Sequence, residues 1–295
     1  MLKFGVAGFP IAFEKTEFRK KRLNIFQWLS SLGIDAFELQ MTYGPRTSPD
    51  TCKEMSSISL DFDIKISVHA SYFIVFTSHD KKAVERSCET LKRTYELADL
   101  LGADVVVLHP GSLYKEDPKF VMERFLDNIN IFFSDIGNSH IGLFLETAGK
   151  RGQLGSVEEI VYLTKQIKGM FPCFDFGHIH ARTLGTLADT ESIHSLFSRL
   201  IALDAFSDRY HLHYTPIDYG SHGEISHKSI SDTYPTNPFP TLFDDQPKGL
   251  YHPRFEPILD NLISINANCT IISETHNSQE IGAIAMKEYY NKKIM

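Results

Sequence analysis

Short apolar runs of four to seven residues alternate along this chain with longer stretches in which apolar positions recur every three or four residues. The runs read as strands over 4–7, 36–39, 64–69, 105–109, 143–146, 173–176, 210–214 and 270–273. Between them, the segment 80–101 puts Val84, Cys88, Leu91, Tyr95, Ala98 and Leu101 on one face, which predicts an amphipathic helix. Further helices are predicted over 18–32, 119–133, 157–167, 191–206, 255–265 and 278–290. Eight strands separated by helices predict an α/β fold of the (β/α)8 TIM barrel type, one domain over 1–295. A doubly wound open sheet is the competing architecture, but it gathers its ligand groups at one switch point rather than from six strands.

The strand ends carry the chemistry. Ser67-Val68-His69, Val106-Val107-Leu108-His109, Phe144-Leu145-Glu146 and Cys173-Phe174-Asp175-Phe176-Gly177-His178 each run into imidazole or carboxylate side chains, and later runs reach His211 and Glu274. These are the donors that zinc and similar divalent ions take, and a barrel converges its strand ends on one mouth. A lone histidine is more often structural than ligating, so His79, His140, His194, His252 and His276 read as ordinary surface or loop residues. His180 and His213 lie two positions beyond ligand candidates in what reads as extended chain, and are expected to orient ligands.

Composition narrows the setting. With 295 residues, 42% of them hydrophobic, the chain can bury one large core. No apolar run approaches the roughly 18 residues of a membrane span, and the N-terminus enters a strand at once, so a cytoplasmic monomer with no membrane partner is expected. Cys52, Cys88, Cys173 and Cys269 form no CxxC pair, and no disulfide framework is expected. The formal charge of −7 gives no support to polyanion binding, although metal ions and a local basic patch can offset it. One connection breaks the rhythm: 216–257 holds seven of the thirteen prolines with interleaved aromatics, and reads as a long loop after strand seven that covers the barrel mouth.

The motifs His69-Ala70-Ser71-Tyr72, His109-Pro110-Gly111-Ser112, Glu146-Thr147-Ala148-Gly149-Lys150, Asp175-Phe176-Gly177-His178, His211-Leu212-His213 and Ile272-Ser273-Glu274-Thr275 together resemble the endonuclease IV family of apurinic/apyrimidinic endonucleases. Within that xylose isomerase-like superfamily they look closest to the shorter, archaeal-type branch. The resemblance implies two to three zinc ions, with manganese or magnesium as alternatives. His69 and His109 would hold the first ion, Glu146 would bridge the first and second, and Asp175, His211 and Glu274 would complete the second. His178 and His227 would hold a third. The family has an aspartate two residues before the histidine matched to His227; here Ile225 stands there, and Glu224 is the expected substitute. The implied reaction is hydrolysis of DNA 5′ to an abasic site by a hydroxide shared between two ions, with Glu146 the catalytic residue and DNA containing abasic sites the partner. Tyr72 matches a position near the substrate. Lys150 and Arg182, with Arg151, Lys228 and Arg254, are expected on mouth loops where they could meet phosphates.

A sugar isomerase or epimerase acting on a small polyol is the alternative on the same barrel. The histidine-rich donor set favours zinc and phosphoester hydrolysis, whereas the negative charge and covering loop favour a small substrate. A metal-storage role fits poorly, since the donors gather where barrels place catalysis.

Overall fold

The structure, a computed structural model, describes residues 1–206, 209–233 and 251–295. Eight strands, β1 (Leu2–Ala7), β2 (Ala36–Gln40), β3 (Lys65–His69), β4 (Val105–Leu108), β5 (Gly142–Glu146), β6 (Met170–Asp175), β7 (Tyr210–Tyr214) and β8 (Cys269–Ser273), form a closed barrel. Each pairs in parallel with its neighbours in chain order, and β8 closes on β1. All eight expected strands occur, most with ends moved by one or two residues.

The strands alternate in a way that fixes the register. Phe4, Val6, Phe37, Leu39, Ile66, Val68, Leu143, Leu145, Leu212 and Ile271 pack outward into one apolar cluster with the surrounding helices. Inside the barrel a second, small cluster of Val105, Val107, Phe144 and Cys173 forms an apolar floor. Other inward positions carry buried polar groups: Glu38, Ser67, His69, Glu146, Asp175, His211 and His213. A slip of one residue would exchange these charges with the leucines and phenylalanines of the outer layer, so every strand is held in place by its alternation.

Six of the seven expected helices occur as Lys81–Leu100, Pro118–Ile136, Val157–Thr164, Thr190–Ala202, Phe255–Ser264 and Gln279–Ile294. The segment expected as a helix over 18–32 instead forms two 3-10 turns, Glu17–Lys20 and Arg22–Asn24, before a helix at Ile25–Ser31. The apolar pattern does not predict the helix at Pro49–Asp61; it buries only Cys52, Met55 and Ser59, too few for an apolar stripe, and is started by the Ser48 cap and Pro49. After β6 the chain does not stay extended. It turns into the helix Phe176–Arg182, capped by the Asp175 side chain.

Within the long segment expected to cover the mouth, 234–250 lies outside the described residues. Its first part is a hairpin, Ile217–Gly220 against Gly223–His227. That hairpin docks on the loop after β5, where Gly149 O accepts from Glu224 N at 3.1 Å and His222 O accepts from Arg151 N at 3.0 Å. Gly223 has φ +92°, and a Cβ there would stand 2.2 Å from Gly149 O, so only glycine allows the contact. All four cysteines are free and buried. Among the described residues no helix is long and apolar enough to cross a membrane.

Candidate metal centre

Three groups of donor atoms, each within 4.8 Å of one another, meet at the carboxyl end of the barrel. The first is His69 at the end of β3, His109 just after β4, and Glu146 at the end of β5. Both histidine Nε2 atoms lie 3.1 Å from Glu146 Oε2. His69 Nδ1 donates to Ala70 O at 2.9 Å, which turns Nε2 toward the group as the available donor atom. Burial works against a charge on either ring. It pushes His109 down to about 3, while the Glu146 contact overcomes it at His69 and raises that ring to about 9. Glu146 is itself buried, yet the histidines, His109 and His213 foremost, hold its carboxyl well below the usual range.

The second group is Glu146, Asp175, His213 and Glu274. Glu146 thus offers Oε2 to the first group and Oε1 to the second, with His213 Nδ1 3.1 Å from Oε1 and 3.5 Å from Glu274 Oε1. Asp175 Oδ1 accepts from His178 N at 2.7 Å, and its Oδ2 is buried with no hydrogen-bond partner among the described residues. The expectation of His211 in this group is corrected. His211 lies one layer deeper, with Nε2 2.7 Å from Glu38 Oε2. The β6–β7 register pairs Asp175 with His213 and Cys173 with His211, and two residues along a strand is about 6–7 Å. His213, read from sequence as an orienting residue, therefore stands in this donor group in place of His211.

The third group is His178, Glu224 and His227. Each ring has its Nδ1 against a carbonyl, Thr147 O at 2.9 Å and Glu274 O at 3.1 Å. With Nδ1–H donating, the two Nε2 atoms face each other at 3.3 Å as lone pairs, and Glu224 oxygens stand 3.7 and 3.6 Å from them. Two lone pairs at this distance repel, so a proton on one ring or a cation beside both must offset them. The separation also matches the edge of about 3.3 Å that two nitrogens make in tetrahedral zinc at about 2.0 Å. Burial alone would lower His178, but Asp175 and Glu146 hold it well above its usual value.

Glu224 reaches this group because of a bulge. Positions 224 and 227 would face opposite sides of a regular strand. Here the pairing shifts from Asp218↔Ser226 to Tyr219↔Glu224, leaving Ile225 opposite nothing and 63% exposed. The extra residue brings Glu224 and His227 onto one face, which places the Glu224 carboxylate beside His178 and His227.

These donors fit divalent ions. The buried Asp175 Oδ2, with no hydrogen-bond partner among the described residues, the facing Nε2 atoms of His178 and His227, and the carboxylate shared by two groups are donors of the kind divalent cations take. A fourth group, Glu38 with His211 and His213, lies below the mouth. Glu38 was missed in the sequence, although a carboxylate inside the apolar run Ala36-Phe37-Glu38-Leu39 was a visible signal.

The expected substrate contacts divide. Tyr72 is 56% exposed and stacks on His109 at 5.3 Å, beside the exposed pair Tyr43 and Phe73. Lys150 is exposed where its backbone bridges Gly223. Arg182 departs from expectation: its guanidinium donates to Lys150 O, Gln153 O and Glu159 Oε2, pinning the β5 loop to the next helix. It lines a cavity of about 680 Å³ between helices that touches none of the metal-group residues. His180 also departs. On its helix it turns from His178, and its Nδ1 accepts from Leu187 N at 3.0 Å.

Comparison with known proteins supports the same frame. The family model described as "Xylose isomerase-like TIM barrel" matches residues 26–290. An uncharacterised protein of Methanocaldococcus jannaschii, MJ0133, is 29% identical over 238 residues, covering 79% of this chain and 83% of that one. A probable endonuclease 4 of Halothermothrix orenii is 27% identical over 205 residues, 64% of this chain and 71% of that one. Among solved structures, a D-tagatose 3-epimerase-like protein aligns with TM-score 0.69 at 20% identity over 99% of this chain and 100% of that one. Endonuclease IV from Thermus thermophilus aligns with TM-score 0.63 at 16% identity over 98% of this chain and 99% of that one.

Proposed function

The chain belongs to the xylose isomerase-like TIM barrel family, and on that premise we propose that it is a zinc-dependent phosphodiester hydrolase that cleaves DNA beside abasic sites. The observation that carries this reading is the number and sharing of the donor groups: of four among the described residues, three meet at the mouth, with Glu146 divided between two of them. A small-polyol isomerase needs one or two ions, while hydrolysis of a phosphodiester uses paired ions that activate water and offset charge on the entering and leaving oxygens. The name of the Halothermothrix orenii relative supports the same class.

In this reading His69, His109 and Glu146 hold one ion, Glu146, Asp175, His213 and Glu274 a second, and His178, Glu224 and His227 a third. Glu146 is the central residue, since its negative charge lies between two cation positions and offsets their repulsion. The hydrogen bonds from His69, His178 and His227 to carbonyl groups fix which nitrogen each ring presents. Tyr72 walls the first group from solvent, and exposed Lys150 and Arg151 supply positive charge for phosphates beside an acidic centre. The chain would act as one barrel domain over 1–295, as a cytoplasmic monomer in DNA repair.

A duplex carrying one abasic site, incubated with metal-loaded protein with and without chelator, tests the proposal. Chelator-sensitive nicking 5′ to the abasic site is expected; intact duplex with fully loaded protein would overturn it. A second reading has its own support. The Glu146, Asp175, His213 and Glu274 group is carboxylate-rich and could serve alone in a sugar epimerase, the class after which the D-tagatose 3-epimerase-like neighbour is named. Interconversion of ketohexoses without nicking would favour it.

A further inference from the structure

The residue that neither the expected ligand set nor the proposed reaction uses is Glu38. It is fully buried in the barrel, one layer below the metal groups. Its Oε2 accepts from His211 Nε2 at 2.7 Å and Ser67 Oγ at 3.0 Å, and its Oε1 accepts from Gln40 Nε2 at 3.1 Å. His213 Nε2 lies 3.2 Å from Oε1 and 3.3 Å from Oε2. With this many donors already placed, the group is a hydrogen-bonded hub rather than a further ion site.

Its consequence falls on His213. An ionised carboxylate only accepts hydrogen bonds, so the His213 nitrogen facing Glu38 must carry a hydrogen. That leaves Nδ1 as the nitrogen presented to Glu146 Oε1 and Glu274 Oε1, at 3.1 and 3.5 Å. Those are acceptors too, and Nδ1 has no donor to offer them when the ring is neutral. In the metal-free chain a second proton on the ring supplies that donor, and a cation at Nδ1 takes its place in the loaded one. We infer that Glu38 is a positioning residue that locks His213 in the Nε2–H form and so makes Nδ1 the ligand of the second ion. His211, whose Nε2–H binds the same carboxylate, braces Glu38 from below.

The inference rests on the metal-centre reading, and its test separates the two. In zinc-loaded protein with ¹⁵N-labelled histidine, long-range ¹H–¹⁵N spectra should show His213 protonated at Nε2 and metal-bound at Nδ1. Competition with a chromogenic chelator measures each zinc affinity in wild type and in Glu38→Gln. Glutamine keeps the shape but can turn an NH2 toward His213 Nε2, which favours the opposite ring form with Nδ1–H in the ligand position. The variant should hold the ion at Asp175, His213 and Glu274 about 10–100-fold more weakly, with the His178 and His227 ion changed little. Wild-type zinc with His213 bound through Nε2 would overturn the Glu38 assignment alone, and so would a folded Glu38→Gln chain with unchanged affinities. If that variant fails to fold, the wild-type spectra decide. A wild-type chain that binds no zinc would overturn the metal centre and this inference with it.

Discussion

His211 and His213 differ by two positions, and that difference decides which of them joins Asp175 and Glu274 at the mouth. Both point into the barrel, and the family resemblance assigns the first as the ligand. The strand boundary favours the second: β7 ends at Tyr214, so His213 is the last inward residue before the mouth. The boundary was legible in the apolar pattern, while the ligand choice needed the register against Asp175. His213→Gln should therefore remove one zinc per chain by elemental analysis, whereas His211→Gln should keep the ion number. Equal losses would contradict the layer assignment. His180 gives a pH prediction of a different kind. Burial lowers its pKa from the ordinary 6.5 to about 4, with His252 adding to the shift. Its Nδ1 accepts a backbone N–H, a role a protonated ring cannot fill. The unfolded chain then binds a proton that the folded chain refuses between about 6.5 and 4. The contribution is fully present above pH 6.5 and is lost as pH falls through that window. Acid unfolding followed by circular dichroism should begin less steeply in His180→Gln than in wild type; an unchanged slope would refute this.

At the scale of elements, the docked hairpin was the feature least legible in the sequence. Its strands are short, polar and interrupted by a bulge, so no period of two emerges from 217–227. The helix Pro49–Asp61 escaped for a related reason, since it buries so few apolar side chains, although Ser48-Pro49-Asp50 carried a start signal. The bulge makes a specific prediction. Glu224→Ala should empty the third ion position, and adding Ile225→Asp should not refill it, because position 225 faces solvent. Recovery of the ion by the double variant would mean that the strand is regular and the bulge is not maintained. Gly223→Ala tests the docking itself. Its Cβ would collide with Gly149 O, and φ +92° is costly for alanine, so a loss of about 1–3 kcal/mol in thermal or denaturant unfolding is expected, together with weaker binding of the third ion.

For the whole molecule, the rhythm of eight apolar runs and intervening helices was enough to give a closed barrel, because the strands turn one apolar face to the surrounding helices and the other to a lumen that is apolar at its floor and polar toward its mouth. The site follows from that closure, since side chains as distant in sequence as His69 and Glu274 share one mouth only when the barrel closes β8 against β1. The net charge of −7 was no guide to the partner, because buried carboxylates such as Glu38, Glu146 and Asp175 contribute to it from inside the barrel. The central claim is a centre of three ions in which Glu146 is shared. Anomalous scattering at the zinc edge from crystals of the zinc-loaded chain tests it most directly. The account expects two peaks flanking the Glu146 carboxylate, one toward His69 and His109 and one toward Asp175, His213 and Glu274, with a third among His178, Glu224 and His227. A single peak at Asp175, His213 and Glu274, with none beside His69 and His109, would contradict it.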